Sequence, residues 1–216
     1  MFHRLLQLLF PPRCVLCKAF LTADETDLCH DCRIHTQEFS KSNFRFSFLA
    51  GWTAVWYYKD AVRESLLRYK FSRRRCYAPV YGQMLAMKLQ KEQLTDFDIL
   101  TWVPIASLRK LIRGYDQSEL LANAVAAELG IPSVKTLRKI RNTPPQSGIR
   151  DVYRRRANVL GAYRSVDPEI FRGKRILLLD DIITTGATAS ECARTLLTAG
   201  AKEVFCATVA AAAKSK

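Results

Sequence analysis

The sequence predicts an α/β fold in which helices flank a parallel β-sheet and a small cysteine-rich module precedes it. From about residue 97 onward, apolar strand-like runs alternate with segments of helical spacing, and alternating βαβ units build parallel sheets covered by helices. Before that region, two closely spaced cysteine pairs occur in a short polar stretch. We therefore expect two domains, residues 1–42 and residues 43–216.

The first part of the larger domain is predicted to supply a strand, two helices, a second strand and a third helix. Residues 51–59 are rich in aromatic and β-branched side chains, which is typical of a strand. Residues 61–69 and 81–93 follow as helices. Residues 98–104 form a buried-strand run, and residues 117–130 have helical spacing that ends at a glycine.

The last part repeats the strand–helix pattern. Residues 175–182 are continuously apolar up to two acids, as a central parallel strand is. Residues 187–199 are predicted to form a helix closed by a glycine, and residues 203–210 the next strand. Residues 131–169 are basic and have few periodic apolar positions, so we expect a long functional loop with short strands around it.

The net charge of +14 is unevenly distributed. Residues 1–50 hold six Lys/Arg against five Asp/Glu, so nearly all of the excess lies in residues 51–216. A basic excess concentrated in one region indicates polyanionic partners, either nucleic acid or phosphorylated substrates. The alternative is a basic surface that serves only solubility.

The opening segment argues against secretion. Its apolar core has only six residues, which is shorter than a secretory signal requires. No later stretch approaches the about 20 apolar residues that cross a bilayer. We therefore expect a cytoplasmic protein without membrane insertion, and disulfide bonds are disfavoured in that compartment.

Four cysteines form two CxxC pairs separated by eleven residues. These cysteines are Cys14, Cys17, Cys29 and Cys32. Each CxxC turn can direct both thiols toward one point, and two such turns complete a tetrahedral thiolate site for zinc. Since all four positions are cysteine, the zinc would be structural. The alternatives are an iron site, a pair of redox-active CxxC motifs, and four unrelated thiols.

The most informative segment is Ile176–Thr188, where an apolar strand ends in two adjacent acids, Asp180 and Asp181. A turn then opens a helix; its residues are Thr184, Thr185, Gly186, Ala187 and Thr188. In open α/β sheets ligands bind at the carboxyl ends of strands, and a helix N-terminus favours phosphate. The carboxylates would repel that phosphate but suit hydroxyl groups or a divalent cation attached to it. A ribose 5-phosphate offers the diol and the phosphate together.

This segment resembles the motif of type I phosphoribosyltransferases. The resemblance implies that Asp180 and Asp181 hold the ribose hydroxyls of phosphoribosyl diphosphate, whose diphosphate carries Mg²⁺, and that the turn holds the 5′-phosphate. It places the pyrophosphate loop on four consecutive residues, Pro104, Ile105, Ala106 and Ser107. It also places the flexible catalytic lid on the basic run around residues 138–158, which contributes Arg141 and Arg150 to catalysis beside the two acids.

With LLFPPRCVLC at the front and VPIASLRKLIRGYDQSELLA in the middle, nearly the whole chain resembles the ComF family. These are bacterial competence proteins in which a zinc knuckle is fused to a phosphoribosyltransferase-like domain. The resemblance implies the handling of incoming single-stranded DNA during transformation, with a competence helicase as a possible partner.

Two basic clusters exceed what one diphosphate requires. Residues 135–156 hold eight Lys/Arg and one acid. The second cluster consists of Arg68, Lys70, Arg73, Arg74 and Arg75, interleaved with aromatic residues. Cations interleaved with aromatics suit single-stranded nucleic acid, where rings stack on bases. The alternative for the second cluster is a solvated helix end whose aromatics face inward.

The sequence leaves three functions open. The first is a DNA-uptake factor that binds phosphoribosyl diphosphate with Mg²⁺ and single-stranded DNA. The second is an active phosphoribosyltransferase of nucleotide metabolism, which transfers the phosphoribosyl group to a nitrogen acceptor. The third is a regulatory binder without chemistry. No segment of the sequence is recognisable as a nucleobase pocket, so the acceptor side stays undefined.

Overall fold

The computed structural model describes residues 11–40, 44–143 and 151–212 of the chain. The strands are β1 (Gly51–Tyr57), β2 (Ile99–Trp102), β3 (Leu137–Lys139), β4 (Tyr163–Ser165), β5 (Arg175–Ile183) and β6 (Glu203–Ala211). The helices are α1 (His30–His35), α2 (Asp60–Phe71), α3 (Tyr77–Lys91), α4 (Ser107–Arg113), α5 (Gln117–Leu129), α6 (Val152–Val159) and α7 (Ala187–Thr198).

Four of the strands form one parallel sheet in the order β1-β6-β5-β2. The central strand β5 is apolar over Ile176–Leu179, and these side chains are fully buried. A strand alternates its side chains between the two faces of a sheet, and accordingly Leu177 and Leu179 pack into one apolar cluster and Ile176 and Leu178 into the other. The predicted α/β fold with a parallel sheet is confirmed.

The two faces of the sheet are covered differently. One cluster contains side chains of α2, α3 and α5 together with the cysteine-rich segment. The other contains side chains of α7 and of the antiparallel β3–β4 hairpin. No helix among the described residues combines the length and the apolar character needed to cross a membrane.

The basic region between α5 and β5 is more regular than the sequence predicts. It contains the β3–β4 hairpin and also helix α6, which was expected to be loop. Helix α6 begins where the carboxylate of Asp151 accepts a hydrogen bond from the backbone N–H of Arg154 at 2.7 Å. Residues 144–150, which include Arg150, lie outside the described residues. Helices α1 and α4 were also not predicted.

Helices α3 and α5 pack closely because α3 carries a glycine at the contact. A Cβ placed on Gly82 would lie 3.0 Å from the carbonyl carbon of Ala124 and 3.2 Å from its Cα. Distances this short to backbone atoms leave no room for a larger side chain without moving one helix.

We expect Gly82→Val to lower the free energy of unfolding by about 1–3 kcal/mol, as overpacking does in a close-packed interior. Urea denaturation followed by far-UV circular dichroism measures the change. The adjacent exposed side chain gives the matched control, since Gln83→Ala should change stability by less than about 0.5 kcal/mol. Equal stability of both variants would contradict the close helix contact.

Candidate functional site

The predicted phosphate turn lies at the carboxyl end of β5 and leads directly into α7. Gly186 adopts a left-handed conformation with φ of 72° at the N-cap of that helix. The ring of Phe46 occupies the place where a Cβ on Gly186 would stand, so only glycine fits there. Arg155 of α6 donates a hydrogen bond to the Thr184 hydroxyl at 2.8 Å. The hydroxyl-rich turn therefore lies beside a cation from the basic region.

The two acids at the end of β5 are crowded. Asp181 is only 3% exposed, and its Oδ2 lies 2.9 Å from the Lys70 ammonium without an aligned hydrogen bond. Asp180 Oδ1 accepts from the Ser118 hydroxyl at 3.1 Å and from the backbone N–H of Asp181 at 2.9 Å. Burial, and then the charge of Asp181, raise the pKa of Asp180 to about 8, while Lys70 opposes the shift. Hydroxyl donors or a cation from a ligand would relieve this crowding.

The predicted pyrophosphate loop is fixed by an acid that the sequence analysis did not single out. Asp116 is buried; its Oδ2 accepts the N–H of Ile105 at 3.0 Å, and its Oδ1 accepts the N–H of Ser118 at 3.1 Å. Asp116 thus caps helix α5 and holds residues 104–107 next to that helix. Because Ser118 also donates to Asp180, one helix terminus connects the loop with the acid pair.

The sequence contains a signal for the helix cap at Asp116. Asp116 is followed three residues later by Glu119, which is a helix-capping pattern. That pattern predicts the start of α5 but gives no indication that the cap also binds the loop at residue 105.

The cations of the predicted lid lie in different surroundings. Arg141 donates to the backbone carbonyl of Asn158 at 3.0 Å and thereby joins the end of the hairpin to α6. Two further cations of this region, Lys139 and Arg109, were not assigned to the site from the sequence. Burial, followed by the charge of Arg109, lowers the pKa of Lys139. Arg109 donates to the backbone carbonyl of Thr143.

Three of the five residues predicted to bind nucleic acid make specific contacts within the chain. Arg68 donates to the carbonyls of Val15 and Leu16 at 3.1 and 2.6 Å, and so holds the first CxxC turn. Lys70 pairs with Asp181. Arg75 donates to the carbonyl of Gly114 at 2.7 Å.

Two members of this cluster, Arg73 and Arg74, are exposed, and their binding to nucleic acid stays a prediction. The aromatics between the cations divide in the same way. Tyr69 is fully buried and its hydroxyl donates to the carbonyl of Gln117 at 2.7 Å, whereas Phe71 is exposed.

The four cysteines of the two CxxC pairs converge. Their sulfur atoms all lie within 4.8 Å of one another, and the Sγ atoms of Cys17 and Cys29 are 3.6 Å apart. A tetrahedral zinc with Zn–S bonds of about 2.3 Å requires sulfurs about 3.8 Å apart. Backbone N–H groups of Ala19 and Cys32 point at the sulfurs of Cys17 and Cys29, each at 3.4 Å, and such donors stabilise thiolates. The cluster fits a structural zinc ion.

The metal site is built into the core of the larger domain. Val15 and Leu16, which separate the first two cysteines, are buried in the cluster that contains α2 and α3. The Ser65 hydroxyl donates to the carbonyl of Val15, beside the contacts from Arg68. A metal ion bound by the cysteines would therefore order a turn against which α2 packs.

We expect one zinc ion per chain, bound by four thiolates. Cys29→Ser should lower the zinc content and the melting temperature together, because structural zinc contributes to folding free energy. Metal analysis and the charge-transfer absorption of the cobalt-substituted protein measure the site. Cys76→Ser is the matched control, since Cys76 is an exposed thiol outside the cluster. Unchanged zinc content in Cys29→Ser would contradict the assignment.

The crowded acid pair predicts a pH-dependent stability. Since the pKa of Asp180 is raised to about 8, the folded chain retains a proton that the unfolded chain releases near pH 4. The free energy of unfolding then falls as pH rises through this interval. Asp180→Asn removes the ionisation, so its stability relative to the wild type should increase from about pH 5 to about pH 9.

Urea denaturation at both pH values measures this difference. The variant Asp167→Asn, at an exposed acid, should follow the wild type at both pH values. If the difference in the free energy of unfolding between Asp180→Asn and the wild type does not change with pH, the pKa of Asp180 is not raised in the folded chain.

Comparisons with known proteins agree with this architecture. Residues 116–216 match the phosphoribosyl transferase domain family, and residues 5–43 match the double zinc ribbon domain. The chain is 24% identical over 215 residues to Competence protein F of Haemophilus influenzae, across 89% of this chain and 93% of that protein. It is 27% identical to Competence protein ComFC of Streptococcus pneumoniae, across 87% of this chain and 77% of that protein.

A third relative matches over a shorter span. The DNA utilization protein YhgH of Salmonella typhi is 33% identical over 140 residues, which cover 62% of this chain and 60% of that protein. The zinc-ribbon match in front, the phosphoribosyl transferase match behind it and the similarity to two competence proteins confirm the resemblance to the ComF family.

Proposed function

We propose that the chain is a ComF-like DNA-uptake factor that binds phosphoribosyl diphosphate together with Mg²⁺ and also binds single-stranded DNA. The observation that carries this proposal is the acid pair, Asp180 and Asp181, immediately before the hydroxyl-rich turn at the N-terminus of α7. The proposed setting is the cytoplasm, with a competence helicase as a partner.

The chemistry of this corner supports a sugar phosphate. Backbone N–H groups at the start of a helix of 12 residues favour an anion, and the threonine hydroxyls add donors. The carboxylates next to them accept hydrogen bonds from a diol. Ribose 5-phosphate presents both groups at a fixed distance, whereas inorganic phosphate presents only the anion.

The diphosphate of the proposed ligand would lie toward residues 104–107. This loop stands at the end of β2, which is the neighbour of β5 in the sheet, and Asp116 and Ser118 join the loop to the acid pair. The site fits Mg²⁺, because that ion is bound in proteins by one or two carboxylates together with phosphate oxygens. When bound, Mg²⁺ neutralises part of the diphosphate charge.

The proposal of DNA binding is supported by charge and by the relatives. The net charge is +14, and among the described residues Arg73 and Arg74 are exposed beside an exposed aromatic, Phe71. The relatives are named as competence and DNA utilization proteins. Contacts between arginine side chains and the phosphates of DNA give an affinity for single strands that falls as the salt concentration increases.

We expect phosphoribosyl diphosphate to bind in the presence of Mg²⁺ and Asp181→Asn to weaken it about 10- to 100-fold, as the loss of a hydrogen bond to a charged group does. Isothermal titration calorimetry measures the affinity. The control is Asp96→Asn, because Asp96 pairs with Arg175 at the opposite end of β5. Binding by Asp181→Asn that equals wild-type binding would contradict the proposed pocket.

A pyrophosphate-release assay with a panel of bases, run on the same samples, tests for turnover. Release that depends on one base would favour an active phosphoribosyltransferase. Binding without release, beside salt-sensitive DNA affinity, would favour the uptake factor.

A further inference from the structure

A cavity of about 210 Å³ lies between the C-terminal end of α2 and helix α4. Its wall combines cations with apolar side chains, which include Lys70, Phe71, Arg109, Ile112, Arg113 and Tyr115. Because the Lys70 ammonium also lies 2.9 Å from Asp181, the cavity adjoins the acid pair of the proposed sugar-phosphate pocket.

Lys70 is paired with Asp181, but the two guanidinium groups contributed by α4 have neutral hydrogen-bond partners. Arg113 donates to the side-chain carbonyl of Gln117 at 2.8 Å, and Arg109 donates to a backbone carbonyl. In the part of the chain that the structure describes, neither guanidinium forms an ion pair. Burial lowers the pKa of Arg113; Asp181 opposes the shift and Arg109 adds to it. Two like charges that line one cavity and have neutral partners are suited to bind an anion.

The apolar side chains of the cavity wall suit an anion that carries a ring. Phe71 is 65% exposed and Ile112 is 69% exposed, although both line the cavity. The Arg113 guanidinium lies 4.9 Å from the centroid of the Phe71 ring, and the pair gives the wall a flat face. A plain phosphate gains nothing from such a wall, whereas nucleobases stack on aromatic rings and on guanidinium planes.

The size of the cavity restricts what can enter. At about 210 Å³ it is smaller than the pockets of about 300–1,000 Å³ that enclose whole small molecules. The cavity can therefore hold only part of a nucleotide, and the rest of the nucleotide would lie at its rim.

A larger cavity, of about 480 Å³, lies between β4, residues 168–172 and α7. Two of its three arginines, Arg172 and Arg194, are already paired with Glu169 and Glu191, so most of its positive charge is neutralised.

We propose that the cavity between α2 and α4 is a nucleotide subsite, in which a base stacks on Phe71 and the phosphate lies against Arg109 and Arg113. This inference rests on the proposed function, because it assigns the nucleic acid a place beside the sugar-phosphate pocket. A separate place is needed: a 2-deoxyribose strand lacks the diol that the acid pair is suited to bind. The nucleotide belongs to a single strand or is free in solution, and the chemistry of recognition is the same.

The test compares a fluorescein-labelled oligothymidylate with an abasic oligonucleotide of the same length, by fluorescence anisotropy. Phe71→Ala should weaken oligothymidylate binding about tenfold and leave abasic binding unchanged, because only the first ligand carries bases that stack. Arg113→Gln should weaken both. Competition by free thymidine monophosphate separates the two sources: effective competition indicates a free nucleotide, and its failure indicates a strand.

Matched controls are Met87→Ala, at an exposed apolar side chain on α3, and Arg63→Gln, at an exposed cation at the other end of α2. Neither substitution should change the difference in binding affinity between the oligothymidylate and the abasic oligonucleotide. If Phe71→Ala binds both oligonucleotides as the wild type does, the subsite is refuted. Phosphoribosyl diphosphate binding by the wild type, measured in parallel, reports separately on the proposed function.

Discussion

The arrangement around the site depends on the crowding of two adjacent carboxylates at the end of a buried central strand. Asp180 and Asp181 follow four fully buried side chains in β5, so the chain delivers two carboxyl groups to a place with little water. Burial of this kind is costly unless charges and donors are supplied. Lys70 supplies the opposite charge and Ser118 supplies a donor. Each comes from a different helix, so α2 and α5 are held at this corner.

Helix α2 connects the three features of the molecule that matter for function. Ser65 and Arg68 of this helix donate hydrogen bonds to the backbone carbonyl of Val15 and so hold the first CxxC turn. Two residues further on, Lys70 reaches Asp181, and the next residue, Phe71, lines the cavity. The metal site therefore supports the helix whose end forms part of both proposed ligand sites. In this arrangement the zinc-ribbon segment packs against a helix that contributes to the proposed pocket.

The strand and the turn of the site were predictable because local rules determine them. The continuous apolar run before Asp180 identifies a central strand, and the threonines with Gly186 identify the turn that opens the next helix. The convergence of the cysteines follows in the same way from the spacing of the CxxC pairs. The parallel sheet follows from the alternation of strands and helices.

The partners of these residues were not predictable from the sequence. The contact between Lys70 and Asp181 joins positions far apart in the chain and depends on how α2 packs against the sheet. Lys70 was therefore assigned to nucleic acid, with Arg68 and Arg75, although all three make specific contacts within the chain. Helix α6 was expected to be loop because three of its eight residues are arginine and the stretch around it has few periodic apolar positions; its start is set by the Asp151 cap.

In the proposed site the acid pair binds the diol of a sugar whose phosphate lies on the turn before α7. Competition binding of ribose 5-phosphate and 2-deoxyribose 5-phosphate isolates this recognition, since the two ligands share the phosphate and differ by one hydroxyl. We expect the ribose compound to bind about tenfold more tightly, and Asp181→Asn to remove this preference. Equal affinity of the two compounds for the wild-type chain would show that the acid pair does not bind the diol.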